Sequence, residues 1–310
     1  MSAMGESFHI LLTATLWAAV LRIATPLIFA MLGELICERA GVVNLGIEGI
    51  MTIGALTAWY SAYVGFDLWT AWLFAALAGA VFGLFHGLFS VTMAQSQHVT
   101  GLGVTLLTTG LASFFYRSAV PATSSPPTIT AFAPLELPGL THPLLGATAP
   151  TYLALSLVAL VAYVLWRTPL GLAIRLVGEH PHGAQAQGIS VAAVRYACLA
   201  VGSALMALGG AFLTTAVFNS FVIGMVQGRG WMALALVVFG AWRPGLALMG
   251  ALLYAWFDAY QLRLQTLFPG IPYQVFLMAP YLLAIIAMVP MARKAIAPHA
   301  LMVPFIQGQR

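Results

Sequence analysis

Residues 38–55 read ERAGVVNLGIEGIMTIGA, and this run decides the fold class. It sets Glu38, Arg39, Asn44 and Glu48 between two apolar stretches of a chain with little other charge. Ionisable groups at membrane depth are expensive, and chains keep them where they face a cavity or a partner. Glycines at 41, 46, 49 and 54 interrupt the same segment. It is therefore expected to be a non-ideal or discontinuous helix beside a polar path, where irregular backbone is tolerated.

The rest of the chain supports a membrane setting. Of 310 residues, 61% are hydrophobic and 6% charged, against about 25% charged in soluble domains. The mean hydropathy is +0.96. Long apolar runs without strand-like alternation need internally bonded helices. Nine candidate spans lie near 17–37, 47–64, 69–93, 99–117, 150–166, 194–217, 222–241, 245–262 and 273–291. Residues 7–16 either extend the first of them or lie along the interface. The fold class expected is an all-α polytopic membrane protein, a single transmembrane domain over residues 1–310 with about nine helices. The first residues, MSAMGESF, lack a basic region, so the first apolar segment is expected to be retained and not cleaved.

Arginine and lysine set the orientation. Alternating nine spans puts Arg39, Arg167, Arg175, Arg195, Arg243, Arg293, Lys294 and Arg310 on one side and Arg22, Arg117, Arg229 and Arg263 on the other. That bias places the C-terminus and the 167–195 loop in the cytoplasm and the N-terminus outside. The net charge of +4 is thus a topology signal, and with no basic stripe it does not suggest nucleic acid. The segment 118–149 is rich in Pro, Ser and Thr and is expected to be an irregular external cap. Cys37 and Cys198 lie in or beside apolar segments and read as small core residues. Glycine-interrupted polar breaks at 41–49 and 224–230 fall early in the two groups of four spans that flank the fifth. Paired breaks of this kind point to an inverted repeat and a transport site between its halves.

The loop RTPLGLAIRLVGEHPHGAQAQGISVAAVRY, 167–196, is the second distinctive region. LGLAIRLVGE continues a helix. Pro181 then opens a short run that ends at Gly188, the pattern of a brief helix lying across the membrane face. It reads as a docking element for a cytoplasmic partner or as an ordinary surface loop.

Four stretches now stand in order: ERAGVVNLGIEGIMTIGA, VTGLGVTLLTTGL (99–111), TPLGLAIRLVGEHPHGAQAQGISVAAVRY and GRGWMALALVVFGAWRP (228–244). Together they resemble the permease subunits of ABC importers for simple sugars, branched-chain amino acids and nucleosides, and most closely the shorter nucleoside-type subunit. The resemblance covers about residues 17–292. It implies a cytoplasmic ABC ATPase, a second and non-identical permease, an extracytoplasmic substrate-binding protein, and a bacterial inner-membrane location. It implies ATP and Mg bound by the ATPase, with no cofactor on this chain. It also implies that the 167–195 loop carries the coupling helix, the matching positions being Arg175, Gly178, Glu179, Pro181, Ala184 and Gly188. Where relatives often have Asn-Pro-Arg, this chain has His180, Pro181 and His182, which puts a salt bridge at 182 in doubt.

Residues for a substrate path are read from both breaks. Asn44 and Glu48 share a face if helical and either bond a solute or hold the break together, with Glu48 pairing with Arg39 or capping. Glu34 and Glu38 belong to the same network. Around the second break, Phe218, Phe221 and Trp231 offer faces for a base, while Asn219, Gln227 and Arg229 offer polar groups. The same aromatics are also what a membrane interface selects. Asp258, Gln261 and Gln265 form one stripe, for a helix contact or the path. Gly202, Gly209 and Gly210 read as close-packing positions. The chain has no Walker A loop, and its seven histidines show no metal-ligand spacing, so it reads as a non-catalytic subunit. The function expected is inward translocation of a nucleoside or related sugar. A stand-alone secondary transporter or channel is the alternative, with Glu34, Glu48 and Asp258 as its intramembrane carboxylates.

Overall fold

A computed structural model describes residues 14–120, 126–135, 146–268, 270, 272–292 and 296–306. The expected N-terminal topology, two pieces of the expected cap (121–125 and 136–145), Arg293, Lys294 and Arg310 lie outside the described residues. The elements are α1 (Ala14–Arg39), α2 (Ile47–Val64), α3 (Leu68–Gly87, prolonged by a π turn over Leu88–Thr92), α4 (Gln97–Ala119), α5 (Ala149–Arg167), α6 (Pro169–Glu179), α7 (Pro181–Ala186), α8 (Val191–Phe212, prolonged by a π turn over Leu213–Val217), α9 (Arg229–Phe239), α10 (Pro244–Leu267) and α11 (Tyr273–Ala292). There is no strand among the described residues, only one isolated bridge between Pro134 and Thr148.

Among the described residues, five helices are long and apolar enough to cross a bilayer: α1, α3, α4, α5 and α8, the π turns included. Helices α2, α10 and α11, of 18, 24 and 20 residues, have the length to do so. The expected seventh span, 222–241, is corrected by the structure. Only Arg229–Phe239 is helical there, 11 residues, or about 16 Å at 1.5 Å per residue against a hydrocarbon core of about 30 Å. The preceding residues run in bends and turns, with Asn219, Gln227, Gly224 and Gly228 all at positive φ. Such conformations cannot propagate a right-handed helix.

Burial separates inner from outer helices. In the most apolar 18-residue window, 83% of α1 and 67% of α8 is buried, against 28%, 22% and 33% for α3, α4 and α5. Helices α1 and α8, with α2, most of whose residues are buried, are therefore the centre of the bundle, and the faces of α3–α5 that the chain leaves open are apolar, as lipid or a partner requires. The centre is tight because small residues let backbones touch. A Cβ on Gly33 of α1 would strike the carbonyl of Gly202 in α8, and one on Gly202 would strike Gly33 and Cys37. Gly209 and Gly210 meet α1 and α2 in the same way, at the backbones of Pro26 and Met51. Cys37 donates to the carbonyl of Cys198 at 3.4 Å and both thiols are free, so they act as core residues.

The loop between α2 and α3 shows how local chemistry starts a helix outside the apolar layer. Asp67 caps α3 by accepting from Thr70 N at 3.0 Å and Thr70 Oγ1 at 2.6 Å, and these bonds hold its carboxyl below the usual range.

Candidate functional site

The two breaks read from the sequence are joined in space by one carboxylate. Helix α1 ends at Arg39, residues 40–46 are not helical, and α2 begins at Ile47. Glu48, in the first turn of α2, accepts from the backbone N–H of Gly228 at 2.7 Å with Oε1 and from that of Gly230 at 2.8 Å with Oε2. It thus caps the N-terminus of α9 from 180 residues away, where orphan N–H groups and the helix dipole favour a negative charge. Gly230 admits this contact because the Glu48 backbone lies against it, leaving no room for a Cβ.

The other end of α9 is held by the same stretch of chain. The turn after the helix bends through Ala241 and Trp242, at φ +48° and +55°. Arg39 donates to the Trp242 carbonyl through Nε at 3.0 Å and Nη2 at 2.8 Å. The Trp242 indole N–H donates to Glu38 Oε2. Glu38, Arg39 and Glu48 therefore grip both ends of the short helix. Strained, left-handed residues flank it on each side, the kind of backbone that persists only where its surroundings over-determine it.

Most backbone groups of segment 40–46 are hydrogen-bonded. Val43 N donates to Gln97 Oε1 at 2.9 Å, and Gln97 Nε2 donates to the Gly41 carbonyl at 3.3 Å. Asn44 N donates to Glu34 Oε1 at 2.9 Å, Asn44 Oδ1 accepts from Gly46 N at 3.0 Å, and Asn44 Nδ2 donates to Ser203 Oγ at 3.0 Å. Thr105 Oγ1 donates to the Leu45 carbonyl at 2.9 Å. Buried irregular backbone is stable only when its polar groups are matched in this way. Asn44 is fully buried and stands before α2, so it does not share a helical face with Glu48. Glu34 and Glu38, one turn apart on α1, interact with each other.

The remaining residues of the second break lie between α8 and α9 and on the first turn of α9. Phe218 is 46% exposed and Trp231 39%, whereas Phe221 is buried against Tyr116 and Trp59, at ring separations of 5.1 and 6.3 Å. Gln227 is exposed. Arg229 donates to the carbonyls of Met225 and Val226 at 3.2 and 3.1 Å, stitching the turn, and its charge acts on Asp258 of α10. Gln261 Nε2 donates to Asp258 Oδ1 at 2.7 Å, as the stripe on α10 implied. The Asn219 carbonyl accepts from Ile129 N at 2.8 Å, which ties the described part of 118–149 to this break. Asn219 also lines a cavity of about 490 Å³ with Arg22, Phe132, Thr148, Thr151 and Phe212.

At the other end, α6 and α7 form a folded headland. Thr168 Oγ1 accepts from Gly171 N at 3.2 Å, capping α6 ahead of Pro169. Arg175 lies 4.6 Å over the Trp166 ring. Gly178 packs against the backbone of Arg39 and Gly41, where a Cβ would strike the Arg39 carbonyl. Pro181 opens α7 and Ala184 is buried against Val177 and Val191. Gly188 stands at φ +79° with open space where a Cβ would point. Its cost of substitution is thus conformational alone. Gly188→Ala is expected to lower stability by about 1–2 kcal/mol, Gly188→Asn by less, read as thermal midpoints of the purified protein in detergent.

Several residues of these sites were not singled out from the sequence. Residues 296–306 fold back on the headland: Ala300 N donates to the Gly178 carbonyl at 2.8 Å, His299 N donates to Glu179 Oε2 at 3.3 Å, His180 stacks on His299 at 6.2 Å, and His182 meets Phe305 at 5.1 Å. Phe305 and Gln185 share a groove of about 660 Å³ with Thr92, Met93, Gly188 and Ser190. Arg195, read as a loop charge, is buried in the first turns of α8 and donates to the Ala40 carbonyl at 3.3 Å. Gln97 and Trp242 carried a signal: an amide opening an apolar helix, and an indole inside GAWRP.

The family model described as branched-chain amino acid transport system / permease component matches residues 16–288. The chain belongs to this family. A guanosine ABC transporter permease protein of Bacillus subtilis is 35% identical, over 94% of this chain and 96% of its own. A nucleoside ABC transporter permease protein of Lactococcus lactis is 33% identical with the same coverage. A "Putative glucose ABC transporter permease protein" of Haloferax volcanii is 40% identical over 82% of this chain and 79% of its own. Among solved structures, an ABC transporter in an inward-facing conformation shares the fold with a TM-score of 0.50 at 16% identity, covering 90% of this chain and 85% of that one. The chain is thus a multi-pass membrane permease subunit of an ABC transport system, a family whose members work with a separate ATPase and substrate-binding protein. No cluster of His, Cys, Asp or Glu among the described residues suits a metal ion.

Proposed function

We propose that this permease conducts a nucleoside inward by alternating access, driven by ATP bound to its partner ATPase, and that it does so beside a second permease. The observation that carries the reading is the second break. Irregular chain over 218–228 runs from the end of α8 to a half-length helix, and it leaves Phe218, Gln227 and Trp231 open. A discontinuous span with exposed aromatics and polar groups is what a transport path needs. An aromatic face suits a base and an amide suits a sugar hydroxyl. The relatives named for guanosine and nucleoside transport match this chain over 94% of its length. Asn44 and Glu48 serve the path from behind: their hydrogen bonds hold its frame, and the exposed residues of the second break meet the solute.

In this reading α6 and α7 receive the ATPase in the cytoplasm, with Glu179, Pro181, Ala184 and Gly188 forming the docking element. The location is the cytoplasmic membrane of a bacterium, with the C-terminus inside. A cysteine placed at Gln185 is then expected to stay unlabelled by impermeant reagents added outside intact cells, and labelling there would overturn the orientation. In the assembled complex with its binding protein, purine nucleosides are expected to stimulate ATP hydrolysis severalfold. Stimulation by a free sugar, with none by any nucleoside, would reject the substrate. The glucose-named relative at 40% identity makes a sugar the second reading. Uptake by this chain alone, driven by an ion gradient without ATP, would reject the ABC mechanism.

A further inference from the structure

We propose that Arg39 is the joint through which movement of the α6–α7 headland reaches α9, so that it positions the transport path in response to the ATPase. This inference rests on the ABC reading above and adds to it a residue and a route.

The route is a series of contacts from α6 to the turn after α9. Arg175, on α6, lies 4.6 Å over the Trp166 ring, and Arg39 lies 5.1 Å from the centre of the same ring. One indole at the end of α5 therefore binds a guanidinium from the headland and another from the end of α1. Cation–π contacts of this kind are worth about 0.5–2 kcal/mol each. The backbone repeats the link, because Gly178 of α6 sits directly on the Arg39 carbonyl. The Gly178 carbonyl in turn accepts from Ala300 N at 2.8 Å, and Arg195 Nε donates to the Ala40 carbonyl at 3.3 Å. The headland, the 296–306 segment and the start of α8 are thus pinned to one corner, residues 39–41.

From that corner the link continues to the path. Arg39 spends two donors on a single carbonyl, that of Trp242, and its neighbour Glu38 takes the indole N–H of the same residue. Trp242 is nearly fully buried and left-handed, so the turn has little freedom to slip while α9 stays behind. Helix α9 is short, its far end is fixed by Glu48, and the exposed Trp231 stands on its first turn. A displacement that rocks α6 and α7 would load Trp166 and Gly178, then Arg39, then the foot of α9. Contiguous, packed and hydrogen-bonded groups of this kind are what carries coupling between sites.

The test uses the complete complex of both permeases, ATPase and binding protein in proteoliposomes, reading solute uptake and ATP hydrolysis together. Arg39→Met removes the stacked charge and both donors. It is expected to lower uptake per ATP hydrolysed at least tenfold while hydrolysis stays within about twofold. Arg39→Lys, which keeps the charge and one donor, is expected to recover part of the ratio. Trp242→Phe keeps an aromatic side chain but loses the indole donor and the five-membered ring, so it tests the foot of α9 if Arg39→Met fails to assemble, and the same uncoupling is expected. An unchanged ratio in Arg39→Met or Trp242→Phe would overturn the inference. So would uptake and hydrolysis falling together in proportion to assembled complex, which would make Arg39 a merely structural residue. If the unmodified complex shows no ATP-driven uptake, the functional reading falls, and the inference with it.

Discussion

Glu48→Ala is expected to reduce uptake to under a tenth of the unmodified level while the protein still reaches the membrane. The carboxylate takes two backbone donors at 2.7 and 2.8 Å at the head of α9. A buried donor left without a partner costs about 1–3 kcal/mol, and the helix also loses the negative charge that its N-terminal dipole favours. That sum is large for an 11-residue helix, which as an isolated segment would be marginal. The rest of the bundle does not depend on it, since the tight crossings of α8 with α1 and α2 lie elsewhere. Glu48→Gln keeps one acceptor and loses the charge, so an intermediate rate is expected. The measurement is initial uptake per unit of membrane-inserted protein. Wild-type uptake by Glu48→Ala would remove α9 from any role in transport.

Gly202→Leu is expected to act the other way, abolishing folded protein and with it every activity. Gly33 and Gly202 let α1 and α8 touch backbone to backbone, and these are the two most buried of the five apolar spans. Overpacking a core against flexible side chains costs about 1–3 kcal/mol, and here the obstacle is a carbonyl that cannot rotate away. Even Gly202→Ala should force the helices apart. Gly245→Ala is the control: it is exposed in the first turn of α10 with nothing within 4 Å. There the change is expected to be neutral or stabilising by up to about 1 kcal/mol. Size-exclusion profiles and thermal midpoints in detergent distinguish the two positions, and a monodisperse Gly202→Leu protein would contradict the packing argument.

The contrast between these positions also marks what a one-dimensional reading reaches. Hydropathy finds helices such as α3 and α8 because a bilayer sets one length and one composition for any crossing segment. It fails at 222–241 because irregular chain can have the same apolar composition as a helix, and the left-handed state of Gly224, Gln227 and Gly228 is what separates them. The breaks at 41–49 and 224–230 stood out by glycine and polar content. Their mutual contact through Glu48 did not, since no local rule links residues 180 apart. The short helix Pro181–Ala186 was legible because caps and turns are local chemistry. The 296–306 segment that lies on it carries no such signature, and Arg195 looked like a loop charge because burial is decided by neighbours.

The double grip on α9 makes the segment from Glu38 to Glu48 a ruler. One end reads the turn at Trp242 and the other reads Gly228 and Gly230, so the short helix must fit a gauge set by another part of the chain. An added or deleted residue in α9 would turn one end by about 100° and shift it by 1.5 Å relative to the other, and one grip would miss its mark. Packing fixes the buried face of α9, at Gly230, Ala233, Leu236 and Val237, but the two grips fix its length. Register is the quantity under constraint, and it is measured out in the sequence about two hundred residues before the helix it governs.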